Sequence, residues 1–161
     1  INTAAVENPN LISEGAKKFG SQCIVVSIDA LKNNNKYDVF IKNGSLATGL
    51  DPIEWAKEAE ALGAGEILIN SIMHDGMMKG YDFALIRAVS EAVDIPVIAA
   101  GGAGKLDDFV QVVLEGSASA VAAGSIYHYT KYTPHMVKEA LNKACIPVRL
   151  PLNETYELTS L

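Results

Sequence analysis

The feature that most restricts the fold of this chain is a repeated alternation between short apolar segments and longer segments with helical periodicity. Four apolar segments rich in β-branched residues predict buried strands, at 24–28, 67–69, 96–100 and 120–123. Four segments with polar residues along one side predict helices, at 51–62, 82–92, 106–114 and 134–144. Repeated strand and helix units of this kind indicate parallel strands joined by right-handed crossovers. The sequence therefore predicts an α/β fold.

Doubly wound sheets and closed (βα) barrels share this local pattern, so periodicity alone leaves both open. No G-x-G-x-x-G motif follows the first predicted strand, which disfavours a dinucleotide-binding domain. Residues that could bind a ligand or react with it stand instead between a strand and the next helix at four places. These are Asp29, Asp75-Gly76, 101–104 and Gly124-Ser125. In a barrel these four places would meet at one mouth. Their positions therefore favour the barrel.

Length and charge exclude several classes of protein. The 161 residues are enough for one domain with a core, and 19 acidic against 13 basic residues give a formal charge of -6. This charge disfavours binding to nucleic acid or to an anionic membrane surface. No apolar run is long enough to span a bilayer, and the two cysteines, Cys23 and Cys145, lie far apart in the sequence. We therefore expect a soluble cytoplasmic protein with neither nucleic acid nor membrane as a partner.

The segment 32–50 predicts an insertion of two short strands with a turn. Its residues alternate between apolar and polar types from Tyr37 onward, and Asn43-Gly44 is a turn signal. The insertion follows the first predicted strand, at the end where added segments usually contribute to a ligand site.

Glycine-rich turns follow the last two predicted strands. Gly101 to Gly104 precede a helix that begins near Leu106, and Gly124-Ser125 repeat the arrangement one strand later. Backbone N–H groups near helix starts attract anions, and two adjacent strand ends of this kind form the usual phosphate site of (βα) barrels. Tight turns that bind nothing are the alternative, which the adjacency of the two turns disfavours.

Two aspartates are candidates for contact with a ligand. Asp29 stands at the exposed end of the first strand, where a carboxylate can act as a general acid or base, although a capping or turn aspartate explains it equally well. Asp75 precedes Gly76 and is first a turn signal, in a loop at the predicted mouth. The three histidines show no metal-ligand spacing, and no nucleophile elbow is present, so we expect no metal, no cofactor and no hydrolase chemistry.

Several longer motifs occur in a characteristic order along the chain. They are Ile1-Asn-Thr-Ala-Ala-Val-Glu-Asn-Pro, Gly20-Ser-Gln-Cys-Ile-Val-Val-Ser-Ile-Asp-Ala, Gly63-Ala-Gly-Glu-Ile-Leu-Ile, Gly80-Tyr-Asp, Pro96-Val-Ile-Ala-Ala-Gly-Gly-Ala-Gly and Ile146-Pro-Val-Arg-Leu. As a set they closely resemble the HisF family, the cyclase subunits of imidazole glycerol phosphate synthase. The resemblance covers residues 1–150 and leaves 151–161 as an unmatched C-terminal tail.

The resemblance implies a (βα)8 TIM barrel of which this chain is the C-terminal half, strands 5 to 8 plus the end of strand 4. We expect such a half to pair with the missing N-terminal half, to self-associate or to aggregate, and to have little activity alone. Members of the family are lyases of histidine biosynthesis. They take ammonia from a glutaminase subunit, HisH-like, docked at the face opposite the mouth, and convert a substrate with two phosphates into imidazole glycerol phosphate and an aminoimidazole carboxamide ribotide.

The resemblance also implies roles for individual residues. Asp29 matches the catalytic aspartate, and Glu66 matches one member of the charged gate that admits ammonia. The remaining matches are to residues that contact substrate phosphate or lie beside it, namely Asn2, Thr3, Asp75, Gly76, Gly102, Gly104, Gly124 and Ser125.

The loop 73–78 departs from the family pattern. Family members usually have Asp-Arg-Asp-Gly-Thr where this chain has Met73-His74-Asp75-Gly76-Met77, which removes polarity beside an anionic substrate. Asn70, Met78 and the segment 121–125 are more similar to HisF-like proteins that occur with lipopolysaccharide and sugar-amidation genes. The alternative function is therefore an ammonia-conducting subunit for a sugar amidotransferase. The related isomerase HisA shares the phosphate site but is a poorer match.

Overall fold

A six-stranded sheet carries the fold, with the strands in the order β3-β2-β1-β4-β5-β6. The computed structural model describes residues 1–34 and 36–150, and the predicted tail at 151–161 lies outside the described residues. The strands are β1 (Val25–Asn33), β2 (Lys36–Ile41), β3 (Leu46–Ala47), β4 (Glu66–Ser71), β5 (Val97–Ala100) and β6 (Ala120–Val121).

Helices connect the strands and flank the sheet. They are α1 (Thr3–Glu7), α2 (Asn10–Phe19), α3 (Pro52–Ala61), α4 (Phe83–Ser90), α5 (Leu106–Leu114), α6 (Ser125–Tyr129) and α7 (Pro134–Lys143), with a 3₁₀ turn at Ser21–Cys23. The four predicted helices correspond to α3, α4, α5 and α7, with ends that agree within two residues. No bounds were predicted from the sequence for α1, α2 or α6. Among the described residues, no helix is both long and apolar enough to cross a membrane.

Local capping explains where the predicted helices begin. The Asp51 carboxylate accepts hydrogen bonds from the N–H groups of Ile53 and Glu54 at 2.8 and 3.3 Å, and Pro52 occupies the first helical position of α3. Thr133 and Pro134 repeat this arrangement at the start of α7. The capping side chain accepts from N–H groups that a helix start otherwise leaves unpaired, and the proline removes one such group because it has no N–H.

The strands β1, β4, β5 and β6 pair in parallel in that order, so the predicted α/β fold with parallel strands is confirmed. Alternate residues of these strands belong to the buried core, and they include Val26, Ile28, Ile67, Ile69, Val97 and Ala99. Helix residues such as Leu85 and Phe109 complete the same apolar cluster. The intervening residues, such as Ser27, Leu68 and Ile98, point to the opposite face and are only half-buried.

The insertion between β1 and α3 contains the two strands that the sequence predicted. These strands pair with β1 and with each other, so they belong to the main sheet. β1 continues beyond the predicted end at residue 28 as far as Asn33, and β2 folds back on it as an antiparallel hairpin. The short strand β3 then pairs with β2. The turn between β2 and β3 contains Lys42, Asn43 and Gly44, and all three have positive φ angles, of 55°, 58° and 73°.

Candidate functional site

Two side-chain amides hold the Asp29 carboxylate. Asn2 donates its Nδ2–H to Asp29 Oδ2 at 2.7 Å, and Asn70 donates its Nδ2–H to Asp29 Oδ1 at 3.0 Å. Asn70 lies directly opposite Asp29 in the β1–β4 register, so the sheet places the amide beside the carboxylate. Charge-assisted bonds of this type are stronger than neutral ones, and two of them fix the orientation of the carboxylate plane.

The Asp29 carboxylate opens into a cleft with a volume of about 300 Å³. The cleft is lined by polar side chains and by the turn between β2 and β3, specifically by Asp29, Asn43, Gly44, Asn70, Ile72 and Asp75. Asp29 does not lie at the end of β1, where the sequence predicted it, but it is next to the last residue of β1 that pairs in parallel with β4. Asp75 lies in the loop after β4, so both are at the carboxyl edge of the parallel strands, where ligands of α/β proteins commonly bind.

The turn after β5 packs tightly against the loop that follows β4. Gly80 donates its N–H to the carbonyl oxygen of Gly102 at 2.8 Å. A Cβ added to Gly102, whose φ is +117°, would overlap the carbonyl of Gly80, and a Cβ on Gly104 would overlap the carbonyl of Met78. Two glycines in this turn are therefore required by close backbone approach, independently of any ligand.

The N–H groups at the end of this turn already have a protein acceptor. The buried carboxylate of Asp108 accepts hydrogen bonds from the N–H groups of Gly104 and Lys105, at 2.8 and 3.0 Å. These contacts cap the start of α5. The contact between Gly104 and phosphate stays a prediction, and a phosphate there would share this N–H with Asp108.

The loops after β4, β5 and β6 meet at one end of the sheet, as the sequence predicted for a common mouth. A Cβ on Gly101 would lie 3.4 Å from the Cβ of Asp75, and a Cβ on Gly76 would lie 4.0 Å from Ser125 Oγ. A Cβ on Gly124 would have no neighbour within 4 Å, so Gly124 faces open space. Gly101 is therefore a neighbour of Asp75, and Gly76 of Ser125, although each pair is far apart in sequence.

Two other predicted site residues lie in different places. Thr3 accepts a hydrogen bond on its hydroxyl oxygen from the Lys42 N–H at 3.0 Å, beside the turn that lines the cleft. Glu66 begins β4 and pairs with Val25, at the end of the sheet opposite to Asp29. Thr3 therefore belongs to the neighbourhood of the cleft, and Glu66 does not.

The loop from Met73 to Met78 presents soft apolar side chains at the mouth. Met73 and Met77 are 60% and 52% exposed. The Nδ1 of His74 lies 2.8 Å from the Gly80 carbonyl oxygen, which can only accept, so Nδ1 carries the proton. In the part of the chain that the structure describes, no three His, Cys, Asp or Glu side chains gather as a metal site would require.

Sequence reasoning missed Asn43 and the role of Asn70 in holding Asp29. Asn70 could have been found from strand alternation, because Ser27, Asp29, Leu68 and Asn70 share one face of the sheet once β1 and β4 are placed in register. Asn43 could not, because its position depends on how the hairpin folds over the sheet.

A buried carboxylate lies behind the cleft, on the helix-covered face. Asp82 caps α4 by accepting a hydrogen bond from the Leu85 N–H at 3.1 Å, and it also accepts the Tyr37 hydroxyl at 3.0 and 3.1 Å. Burial, with a smaller contribution from the Asp82 charge, raises the pKa of Tyr37 from 10.0 to about 12. Burial also raises the pKa of Tyr81 and of Tyr127.

These shifts predict a loss of stability in alkaline solution. The folded chain retains its tyrosine protons above pH 10, where tyrosines of the unfolded chain lose them, so the free energy of unfolding falls as the pH rises from about 10 to about 12. Replacing Tyr37 with Phe removes one contribution and should make the fall shallower. Urea unfolding at several pH values measures how steeply the free energy of unfolding falls with pH in the wild type and in Tyr37→Phe. Equal slopes in the two proteins would contradict the prediction.

Comparison with known proteins agrees with this architecture. Residues 1–133 match the family described as histidine biosynthesis protein. The chain is also 52% identical, over 150 residues, to the imidazole glycerol phosphate synthase subunit HisF of Dehalococcoides mccartyi. This alignment covers 93% of the present chain and 59% of that relative, so the chain spans about three-fifths of the length of the relative. The chain belongs to the family of histidine biosynthesis proteins.

Proposed function

We propose that this chain forms part of a cyclase subunit of imidazole glycerol phosphate synthase. The complete protein would use ammonia from a HisH-like glutaminase to convert a substrate with two phosphates into imidazole glycerol phosphate and an aminoimidazole carboxamide ribotide. The observation that carries the proposal is the Asp29 carboxylate, held by two amides in a cleft where the ends of parallel strands converge, in a chain 52% identical to a HisF subunit.

In this proposal Asp29 transfers protons to and from the substrate during ring closure. Its carboxylate opens into a cleft of about 300 Å³, and both of its oxygens are held in place by Asn2 and Asn70. A fixed carboxylate beside the reacting atoms contributes to general acid and base catalysis because no reorientation is needed during the transfer.

The phosphates of the substrate would bind at the rim of the same cleft. The phosphate beside β5 and β6 would be held by Gly102, Gly104, Gly124 and Ser125, with Asp75 and Gly76 in the adjacent loop. Support comes from the spacing of 4.0 Å between a Cβ on Gly76 and Ser125 Oγ, and from the open space around Gly124. Asn2 and Thr3 would contact the second phosphate. Thr3 accepts a hydrogen bond from Lys42, which leaves its own hydroxyl proton to donate.

Ammonia would enter at the end of the sheet opposite to the cleft. Glu66 begins β4 at that end, four residues before Asn70 on the same strand, which suits a gate between a docked glutaminase and the mouth. A strand rises about 3.3 Å per residue, so the path from Glu66 to Asn70 is roughly 13 Å long. The role also accords with a place in the cytoplasm, where histidine biosynthesis would occur.

We further propose that residues 1–150 are the C-terminal half of a (βα)8 barrel. Ile1 donates its N–H to the Val25 carbonyl at 2.6 Å and accepts the Ser27 N–H at 2.8 Å, the pattern of a parallel neighbour on the outer edge of β1. Ile1 would therefore end strand 4, and β1, β4, β5 and β6 would be strands 5 to 8. The half-buried face that carries Ser27, Leu68 and Ile98 would line the barrel interior. The half would need its N-terminal counterpart, or a second copy, to cover that face.

The test is a turnover assay of the complete polypeptide that contains this chain, with ammonium and the bisphosphate substrate. We expect imidazole glycerol phosphate as a product, little turnover by residues 1–161 alone, and recovery when the N-terminal half is added in trans. The absence of turnover in a folded complete protein would overturn the proposal.

The exposed methionines of the loop after β4 favour a second candidate. Met73 and Met77 are 60% and 52% exposed at the place where an anionic substrate would bind. They accord with an ammonia-conducting subunit for a sugar amidotransferase of lipopolysaccharide or O-antigen synthesis, in which the mouth performs no chemistry. This candidate predicts that the complete protein stimulates a glutaminase partner without forming imidazole glycerol phosphate.

A further inference from the structure

We propose that Tyr37 is a positioning residue, which fixes the hairpin of β1 and β2 to the start of α4 through Asp82 and thereby sets the position of the turn that lines the cleft. The turn comprises Lys42, Asn43 and Gly44. The expected effect on substrate binding rests on the proposed cyclase function, whereas the effect on the hairpin itself does not.

Asp82 provides a rigid attachment point. It is 9% exposed, and it accepts hydrogen bonds from the Leu85 N–H at 3.1 Å and the Ser71 hydroxyl at 3.4 Å, in addition to those from Tyr37. The first bond belongs to the α4 cap and the second comes from the end of β4. The Tyr37 hydroxyl therefore joins the hairpin to two elements of the central fold at once.

Tyr37 acts on the cleft through β2. Tyr37, Val39 and Ile41 share one side of β2, and Val39 and Ile41 are buried. The turn follows directly after Ile41, and Asn43 and Gly44 line the cleft with Asp29. Because β2 is a paired strand with Phe40 opposite Asp29, a change of tilt at Tyr37 is transmitted along it to the turn.

The turn depends on such support. Lys42 has a positive φ angle of 55°, which is unfavourable for lysine and persists only where the surrounding structure holds it, whereas asparagine tolerates the φ of 58° at Asn43. The local contacts are the bond from the Lys42 N–H to Thr3 Oγ1 at 3.0 Å and the bond from the Ser45 hydroxyl to the Lys42 carbonyl at 2.7 Å. The bond to Thr3 requires that β2 delivers the turn to the correct place, whereas the bond from Ser45 lies within the turn itself.

The test compares Tyr37→Phe with Tyr81→Phe. Each variant keeps its aromatic ring and loses one buried or half-buried hydroxyl that has a protein acceptor, because Tyr81 donates to the Ala122 carbonyl at 3.0 Å. In the complete protein, amide hydrogen exchange at Lys42, whose N–H bonds to Thr3 Oγ1, should be about tenfold faster in Tyr37→Phe than in Tyr81→Phe. Equal exchange at this amide would overturn the proposal.

The second measurement uses the complete protein and the bisphosphate substrate. Since the turn forms a wall of the cleft and takes no part in proton transfer, Tyr37→Phe should raise KM about fivefold and leave kcat within about twofold of the wild type. A fall in kcat with unchanged KM would overturn the positioning role. If the wild-type protein shows no turnover, the proposed cyclase function fails, and the exchange comparison still decides whether Tyr37 holds the hairpin.

Discussion

Replacing Asp29 with Asn in the complete protein should reduce kcat for imidazole glycerol phosphate formation by about 10² to 10⁴, the range that a positioned acid or base contributes. Asn has no proton to exchange near neutral pH. It also cannot accept on both of its terminal atoms, whereas the Asp29 carboxylate accepts from Asn2 and from Asn70, at 2.7 and 3.0 Å. Steady-state turnover with saturating ammonium measures the effect.

The matched control for this variant is Asp38→Asn. Asp38 lies in the same hairpin and accepts a hydrogen bond from the Gly49 N–H at 2.9 Å, and it does not line the cleft. An asparagine keeps the oxygen that accepts this bond, so turnover should remain close to that of the wild type. Circular dichroism and unfolding midpoints should show that both variants are folded. Turnover of Asp29→Asn within threefold of the wild type would remove the catalytic role assigned to Asp29.

The second large effect is expected on stability, from Gly104→Ala. A Cβ at this position would overlap the backbone carbonyl of Met78, which cannot move aside as a flexible side chain could. Overpacking of this kind costs about 1–3 kcal/mol and sometimes more, and a contact with backbone belongs at the upper end of that range. We therefore expect the free energy of unfolding to fall by about 3 kcal/mol, measured by urea denaturation of the complete protein.

Gly124→Ala provides the comparison, because Gly104 and Gly124 were predicted to do the same work in binding phosphate. A Cβ on Gly124 meets nothing within 4 Å, and its φ of -123° lies outside the left-handed region that favours glycine. The free energy of unfolding of Gly124→Ala should therefore stay within about 0.5 kcal/mol of the wild-type value. An equal loss of stability in both variants would show that the two turns are not packed as described.

The strands and helices that the sequence predicted with accurate ends are those with strong local signals. Helix α5 has the predicted bounds, 106–114, because its apolar residues recur at helical spacing and acidic residues occupy its first turn. Helix α6 was missed because its five residues are too few to show a period, and because Gly124-Ser125 was interpreted as a phosphate-binding turn and not as the start of a helix.

The site was predicted to the extent that it lies at strand ends. Asp29 stands directly after one apolar segment and Asp75 lies in the loop that follows another, so the predicted strand topology places both at the same edge of the sheet. Asn43 and Asn70 were missed as cleft residues, because their approach to Asp29 depends on pairing register and on how the hairpin folds back. The sequence also could not show that the glycines at 102 and 104 are required by the backbone of residues 78–80.

The sequence by itself determined the parallel α/β architecture. The alternation of apolar and amphipathic segments is a local pattern, and there are few ways of packing such strands and helices so that the apolar face of each is buried. The sequence also determined that Asp29, Asp75 and the glycine turns lie toward one edge of the sheet. Only the tertiary structure decided that two amides hold the Asp29 carboxylate, that Asp108 occupies the N–H groups of Gly104 and Lys105, and that Tyr37 reaches Asp82. These contacts join residues from different elements, and their geometry depends on register and packing, which no local pattern of residues encodes.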